Sequence, residues 1–356
     1  MRTVQLAARV VVRSSAWSRT WAGLIMALAV STACTPSAQS TNPSPKPSPP
    51  KLAVLPVGRD VFFYSTDVYA PLNPVGWDGT RYAQLQLGTL TGSQAIQSPD
   101  GSKLIVDNVV YDRATGSTTQ LPFVANKGTQ VMWADDSAHI CVLYPLGDSQ
   151  QPGGTASELD LLQPGGATRV VAHVGHDEAQ AFALLRSCSV ANDVAIVAQR
   201  AVLPISDVWV VRISTGGIIR HLSYQQGAEP STVVAAPDGS WIAAVGTATT
   251  EIVDTGTGST VAHLYGQAVA FSGDGKVLVL GDRVIDWRTD QTLWLAPHGF
   301  EAIFVLAEPS GSAVAVDAMG SPGSPTATTP SQLWLVASSM TIRIADGVVP
   351  SFVTST

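Results

Sequence analysis

Charge is scarce in this chain: Asp, Glu, Lys and Arg make up 13% of the 356 residues, and the bases are the fewer, 20 against 27 acids. A surface so poor in base gains nothing from counterion release on a phosphate backbone, so no nucleic-acid partner is expected. Thiols are scarcer still, three cysteines with no C-x-x-C pair for zinc or redox chemistry. No G-x-S-x-G elbow occurs, which excludes the strand-turn-helix nucleophile of an α/β-hydrolase domain, and no Ser, His and Asp are marked out as a triad. Gly273-Asp274-Gly275-Lys276 lacks both the spacing and the following Ser or Thr of a phosphate-binding loop. No cofactor is expected.

What the chain has begins with an address. Arg2, Arg9, Arg13 and Arg19 precede the apolar run Trp21–Val30, and Ser31-Thr32-Ala33 leads into Cys34. Ten apolar residues are too few to cross a hydrocarbon core, which takes about 20. Basic head, short apolar run and small residues are the plan of a secretory signal peptide over residues 1–33. Residues 34–51 follow, rich in Ser, Pro and Thr, a composition that stays extended and solvated as a tether. Losing the four leader arginines takes the net charge from −7 to −11.

Residues 52–356 carry a repeat. Ser98-Pro99-Asp100-Gly101-Ser102 and the strand behind it recur as Ala236-Pro237-Asp238-Gly239-Ser240 and as Ser272-Gly273-Asp274-Gly275-Lys276. Weaker copies begin at Ala134-Asp135-Asp136-Ser137 and Glu308-Pro309-Ser310-Gly311. Pro presets one corner of a tight turn, Asp bonds back to the backbone, and Gly takes the positive φ that closes a hairpin. A second turn follows 12 to 16 residues later, as in Tyr111-Asp112-Arg113-Ala114-Thr115-Gly116. Two hairpins per period make a four-stranded meander, the blade of a propeller. The turn positions, 100, 136, about 192, 238, 274 and about 310, average near 42 residues apart, which is a propeller period.

The expected fold is therefore all-β, a single propeller, with Leu52 to Leu90 supplying a seventh blade in preference to a ring of six. Val348 to Thr354 is expected to pair with that blade and close the ring. Leu146 to Ala156 and Arg200 to Ser206 read as loop insertions, and Asp177 to Ser187 as an inner strand in preference to a helix. Of the tryptophans, 133, 209, 241, 287, 294 and 334 are expected to pack between blades in preference to stacking on a ligand.

Two resemblances follow from these residues. The leader resembles a bacterial lipoprotein signal, with Ser31 where that family prefers Leu. The resemblance implies that Cys34 carries acyl chains, palmitate among them, and holds the protein to a membrane outside the cytoplasm. The competing reading is ordinary cleavage and free secretion. The turn motif and its spacing are similar to the degenerate WD40-like repeats of TolB-type periplasmic propellers, over most of residues 93–347. The Gly-His and Trp-Asp pairs of strict WD40 repeats do not recur with this period, so this resemblance implies a fold and little else.

Site candidates are few. Cys141 and Cys188 sit in neighbouring repeats and form either a disulfide or two separate buried thiols. His173, His176, Asp177 and Glu178 combine imidazole and carboxylate as a metal site would, and equally as an ordinary surface loop would. The repeat aspartates Asp100, Asp136, Asp238 and Asp274 read as structural. The function favoured is a non-catalytic binding or scaffold module taking an envelope protein, peptide or glycan. The alternative is an envelope enzyme, hydrolase, lactonase-like or quinone-dependent, with acids such as Asp60, Asp67, Glu251 and Asp317 converging on the channel.

Overall fold

The computed structural model describes residue 55 and residues 61–66, 72–84, 96–106, 108–122, 129–146, 157–175, 182–200, 205–225, 229–309 and 311–347. Cys34 and the tether, Asp60, Asp67, His176, Asp177, Glu178 and the expected closing strand at 348–354 lie outside them. Residues Lys51–Thr356 form one compact unit.

The described residues hold 26 strands and no helix. An N-terminal hairpin pairs β1 (Val61–Tyr64) with β2 (Asn73–Gly76). Six antiparallel meanders follow, each a sheet whose strands lie in chain order. Blade 1 comprises β3 (Ile96–Gln97), β4 (Lys103–Val106), β5 (Val109–Asp112) and β6 (Thr118–Gln120). Blade 2 comprises β7 (Gln130–Trp133), β8 (Ile140–Pro145), β9 (Ser157–Leu162) and β10 (Thr168–Val174). Blade 3 comprises β11 (Phe182–Ser189), β12 (Val194–Arg200), β13 (Ile205–Arg212) and β14 (Ile218–Ser223). Blade 4 comprises β15 (Thr232–Ala235), β16 (Trp241–Val245), β17 (Thr249–Asp254) and β18 (Thr260–Tyr265). Blade 5 comprises β19 (Ala268–Phe271), β20 (Val277–Leu280), β21 (Arg283–Asp286) and β22 (Gln291–Leu295). Blade 6 comprises β23 (Phe300–Ala307), β24 (Val314–Gly320), β25 (Gln332–Ala337) and β26 (Met340–Asp346).

Burial explains the composition of each strand. The second strands, such as Val277–Leu280, are covered on both faces by neighbouring blades and read as unbroken apolar runs. The fourth strands, such as Thr260–Tyr265, lie at the rim and alternate exposed with partly buried residues. Each fully buried Val, Leu or Ile contributes about 1.5–3 kcal/mol relative to exposure.

Packing closes the ring. Five apolar clusters join blades 1 and 2, 2 and 3, 3 and 4, 4 and 5, and 5 and 6 in succession. Phe62 and Val75 of the hairpin pack on Ala315, Leu333 and Leu335 of blade 6, while Val61 and Phe63 pack on Leu104 and Val106 of blade 1. The hairpin thus occupies a seventh position, two strands wide in the described residues, between six four-stranded blades. Aromatics fill the wedges: Trp241 of blade 4 meets Trp287 of blade 5 edge-on at 5.2 Å, and Trp294 of blade 5 lies 6.1 Å from Trp334 of blade 6. A disulfide between Cys141 in β8 and Cys188 in β11 ties blade 2 to blade 3.

In such a meander the first and third turns of every blade open on one face of the ring, and the second turn and the crossover to the next blade open on the other. On the turn face, the backbone N–H three residues into each first turn donates back to its opening carbonyl, at Gly101, Ser137, Asp193, Gly239, Gly275 and Gly311. The repeat aspartates accept the exposed amides: Asp100 from Ser102 (2.9 Å), Asp136 from Ala138 and His139 (3.0 Å each), Asp238 from Ser240 (3.0 Å) and Asp274 from Lys276 (3.1 Å). Ser137 and Asp193 take positive φ where the other copies have glycine, so no glycine marks the turn in those two copies.

Candidate functional site

The first strand of each sheet faces the ring axis, and there a cavity of about 280 Å³ is touched by the first strands of all six blades and by Val61, Phe62 and Trp77 of the hairpin region. Contact with every blade at once places it in the central channel. Its wall is mainly apolar, with Val131, Met132, Val234, Ala270, Val305 and Leu306 among the lining side chains.

Few polar groups reach this wall, and most are already engaged. Asp135 accepts hydrogen bonds from Ser189 Oγ (2.6 Å) and from the amides of Val190 (2.7 Å) and Ala191 (3.2 Å), stitching the blade 2 turn to blade 3. Ser187 Oγ donates to the Pro237 carbonyl at 2.9 Å, and Ser98 Oγ donates to Asp100 at 2.7 Å. Gln97 Nε2 donates to the Val61 carbonyl, while its Oε1 has no partner among the described residues.

Arg186 is the exception. It is the one cation on the described innermost strands, in the stretch Ala183 to Val190 of blade 3. A bulge between Leu185 and Ser187 breaks the strand register at this residue. Its guanidinium makes a single long contact, Nη2 to Thr232 Oγ1 at 3.5 Å, and Nε finds no acceptor among the described residues. Burial, reinforced by the charge of Arg200, holds its pKa below the ordinary arginine value. No described acid pairs with it. Sequence reasoning passed over this residue; the available signal was a lone arginine inside the first strand of a repeat whose other copies carry none.

The residues singled out from sequence are dispersed. His173 Nε2 lies 2.9 Å from Glu158 Oε2 across β10 and β9, at the rim of blade 2 and away from the channel wall. Its expected companions His176, Asp177 and Glu178 lie outside the described residues, and no group of three potential metal ligands occurs among the described ones. Glu251 faces His263 at 3.6 Å on the outer half of blade 4. Asp317 is buried in β24 of blade 6, and neither acid lines the cavity. Burial raises the Asp317 carboxyl to about 6, and Ser331 alone offsets this in part; its two oxygens make no well-formed hydrogen bond among the described residues. Near the Glu158 pair, Tyr144 donates to Asp160 at 2.6 Å, and burial raises both pKa values.

No protein-family model matches the chain, and no curated protein matches it in sequence. Among solved structures it is similar to a prolyl endopeptidase from a study of inter-domain dynamics, with TM-score 0.57 and 15% identity over 85% of this chain and 50% of that one. It therefore spans half the length of that enzyme. Looser likenesses are to a dihydro-heme d1 dehydrogenase (TM-score 0.47, 14% identity, 85% of this chain and 68% of that one) and to a chain of a mitotic checkpoint complex (0.46, 16%, 72% and 78%). At such identities the likeness is one of fold, and the fold of this chain is that of a β-propeller.

Proposed function

We propose that the chain is a lipid-anchored, extracytoplasmic propeller that works as a binding module, with its ligand site in the central channel. The observation that carries this reading is the wall of the channel: apolar side chains from every blade surround a cavity of about 280 Å³, and its polar groups other than Arg186 and the Gln97 carbonyl are held in structural hydrogen bonds. An apolar, preformed concavity with few convergent polar groups suits capture of a small molecule. Asp135 and Ser187, tied to the neighbouring blades, are not poised as base and nucleophile. The Cys34 leader supplies the address, because two or more acyl chains on one residue give stable membrane attachment.

Two measurements test this. Intact mass and detergent partitioning of the native protein should show a lipidated chain beginning at Cys34, and the Cys34→Ala variant should lose both the added mass and the partitioning. An unmodified chain in the medium would remove the anchor. Calorimetric titration of the full chain with 4-phenylbutan-1-ol, a neutral aryl alcohol, should show binding that Ala270→Phe abolishes by filling the channel. Binding unchanged in that variant would move the site elsewhere.

A further inference from the structure

Resting on the channel as the ligand site, we propose that its ligand is a monocarboxylate with an apolar body, the carboxylate seated on Arg186 and the body against the Val, Leu and Ala side chains around the axis. The cavity is the place where the apolar surfaces of six blades meet, and Arg186 is the only described cation in its lining. Arg186 is part-buried and its Nε is shielded from solvent with no acceptor among the described residues, and a cation so placed without a carboxylate partner is costly to the fold. Here one N–H group reaches Thr232 at 3.5 Å and Nε reaches nothing among the described residues. The same planar fork, left open beside an apolar wall, is the group that takes a carboxylate through two parallel hydrogen bonds.

Arg200 strengthens the case. It closes β12 opposite Phe182, its charge acts on Arg186, and its own Nε also lacks an acceptor among the described residues. Arg200 does not itself line the cavity, but its charge adds to the positive field at Arg186, and no acid pairs with Arg186 among the described residues, so an anion arriving from the channel is favoured there. The other polar lining groups do not compete for this role: Asp135 repels an anion and is saturated by blade 3, while Ser187 is committed to Pro237. A cationic or neutral ligand would leave the guanidinium as it stands. A phosphate diester would bring a second polar substituent into a wall that offers it no partner.

The test compares ligands sharing one body, 4-phenylbutyrate, 4-phenylbutan-1-ol and 4-phenylbutylamine, by calorimetry on the full chain at low salt. Butyrate should bind about tenfold tighter than the alcohol or more, the scale of a hydrogen bond to a charged group, and the amine should be weakest. In Arg186→Met the preference for butyrate should vanish while affinity for the alcohol is kept. Arg186→Gln, which retains donors without charge, answers the same question if the methionine variant does not accumulate. Equal affinity of the wild-type chain for butyrate and alcohol, or a preference surviving in both Arg186 variants, would overturn the carboxylate assignment and leave the channel standing as a binding site. Binding of none of the three would overturn the channel reading as well.

Discussion

The two faces of the ring are built on different principles. On the turn face every blade uses the same short loop, and the loops are bonded to one another. The Asp100 amide donates to Ser137 Oγ at 2.9 Å, Asp135 takes three donors from blade 3, Asn192 Nδ2 donates to the Asp238 carbonyl at 3.2 Å, and the Asp274 amide donates to Gly311 at 3.0 Å. The loop face has no common motif. Its hairpins range from Gly281-Asp282 in blade 5 to the eleven residues separating Gly320 from Gln332 in blade 6. Uniform turns lock neighbouring blades at fixed spacing, whereas irregular loops leave the opposite rim free to vary. Stability is therefore expected to concentrate on one face and tolerance of change on the other.

The sharpest way to break that contrast is a pair of glycines. A Cβ at Gly273 would lie 1.9 Å from the Glu308 carbonyl oxygen and 2.4 Å from that of Pro309, backbone atoms of the next blade. Gly273→Ala should cost about 4 kcal/mol or more, seen as loss of folded protein or a much lower denaturation midpoint. Next comes the disulfide, which clamps blades 2 and 3 near the turn face across 47 residues of chain; Cys141→Ala with Cys188→Ala should lower stability by about 2–4 kcal/mol in chemical unfolding.

Asp317 runs the other way. Its folded value, about 6, is above the ordinary 3.8, so its contribution is fully present below pH 3.8 and is lost as pH rises to about 6. Asp317→Asn should therefore stabilise the protein by up to about 3 kcal/mol at pH 7.5 and by almost nothing at pH 3.5, in paired thermal melts. Asp274 has the opposite sign. Burial opposes ionisation there, but hydrogen bonds from Ser272 and Lys276 win and hold its carboxyl below the usual range. Asp274→Ala should cost about 1 kcal/mol at pH 7, and the difference from wild type should shrink as pH falls below about 4. The smallest change expected is on the loop face: Gly281 has ordinary φ and nothing within 4 Å of an added Cβ, so Gly281→Ala should move stability by no more than about 0.5 kcal/mol. Equal losses at Gly273 and Gly281 would erase the distinction between the faces.

That distinction also explains what could be read in advance. Pro, Asp and Gly at fixed offsets are local chemistry, so the turn face, the four-stranded period and the strand nature of Phe182–Ser189 were legible from residues alone. The copy at Ala134 was fainter in part because Ser137 takes positive φ there with no glycine to announce it, whereas the copy at Glu308 was faint although Gly311 closes its turn. The pairing of Cys141 with Cys188 stayed open in the sequence, since 47 residues of separation say nothing of proximity until two blades are stacked. The channel was harder. Asp317 looks like a converging acid in the sequence, yet lies between blades, and Glu251 turns outward to His263. Arg186 looks like an accident in the strand Phe182–Ser189, and its meaning depends on six strands, far apart in the chain, meeting on one axis.

A crystal structure of the full chain with bound 4-phenylbutan-1-ol tests the central claim most directly. The account predicts ligand density on the ring axis, in contact with Val234, Ala270 and Leu306. Density confined to the loop face, or an occupied site elsewhere with the channel wall collapsed inward, would contradict it.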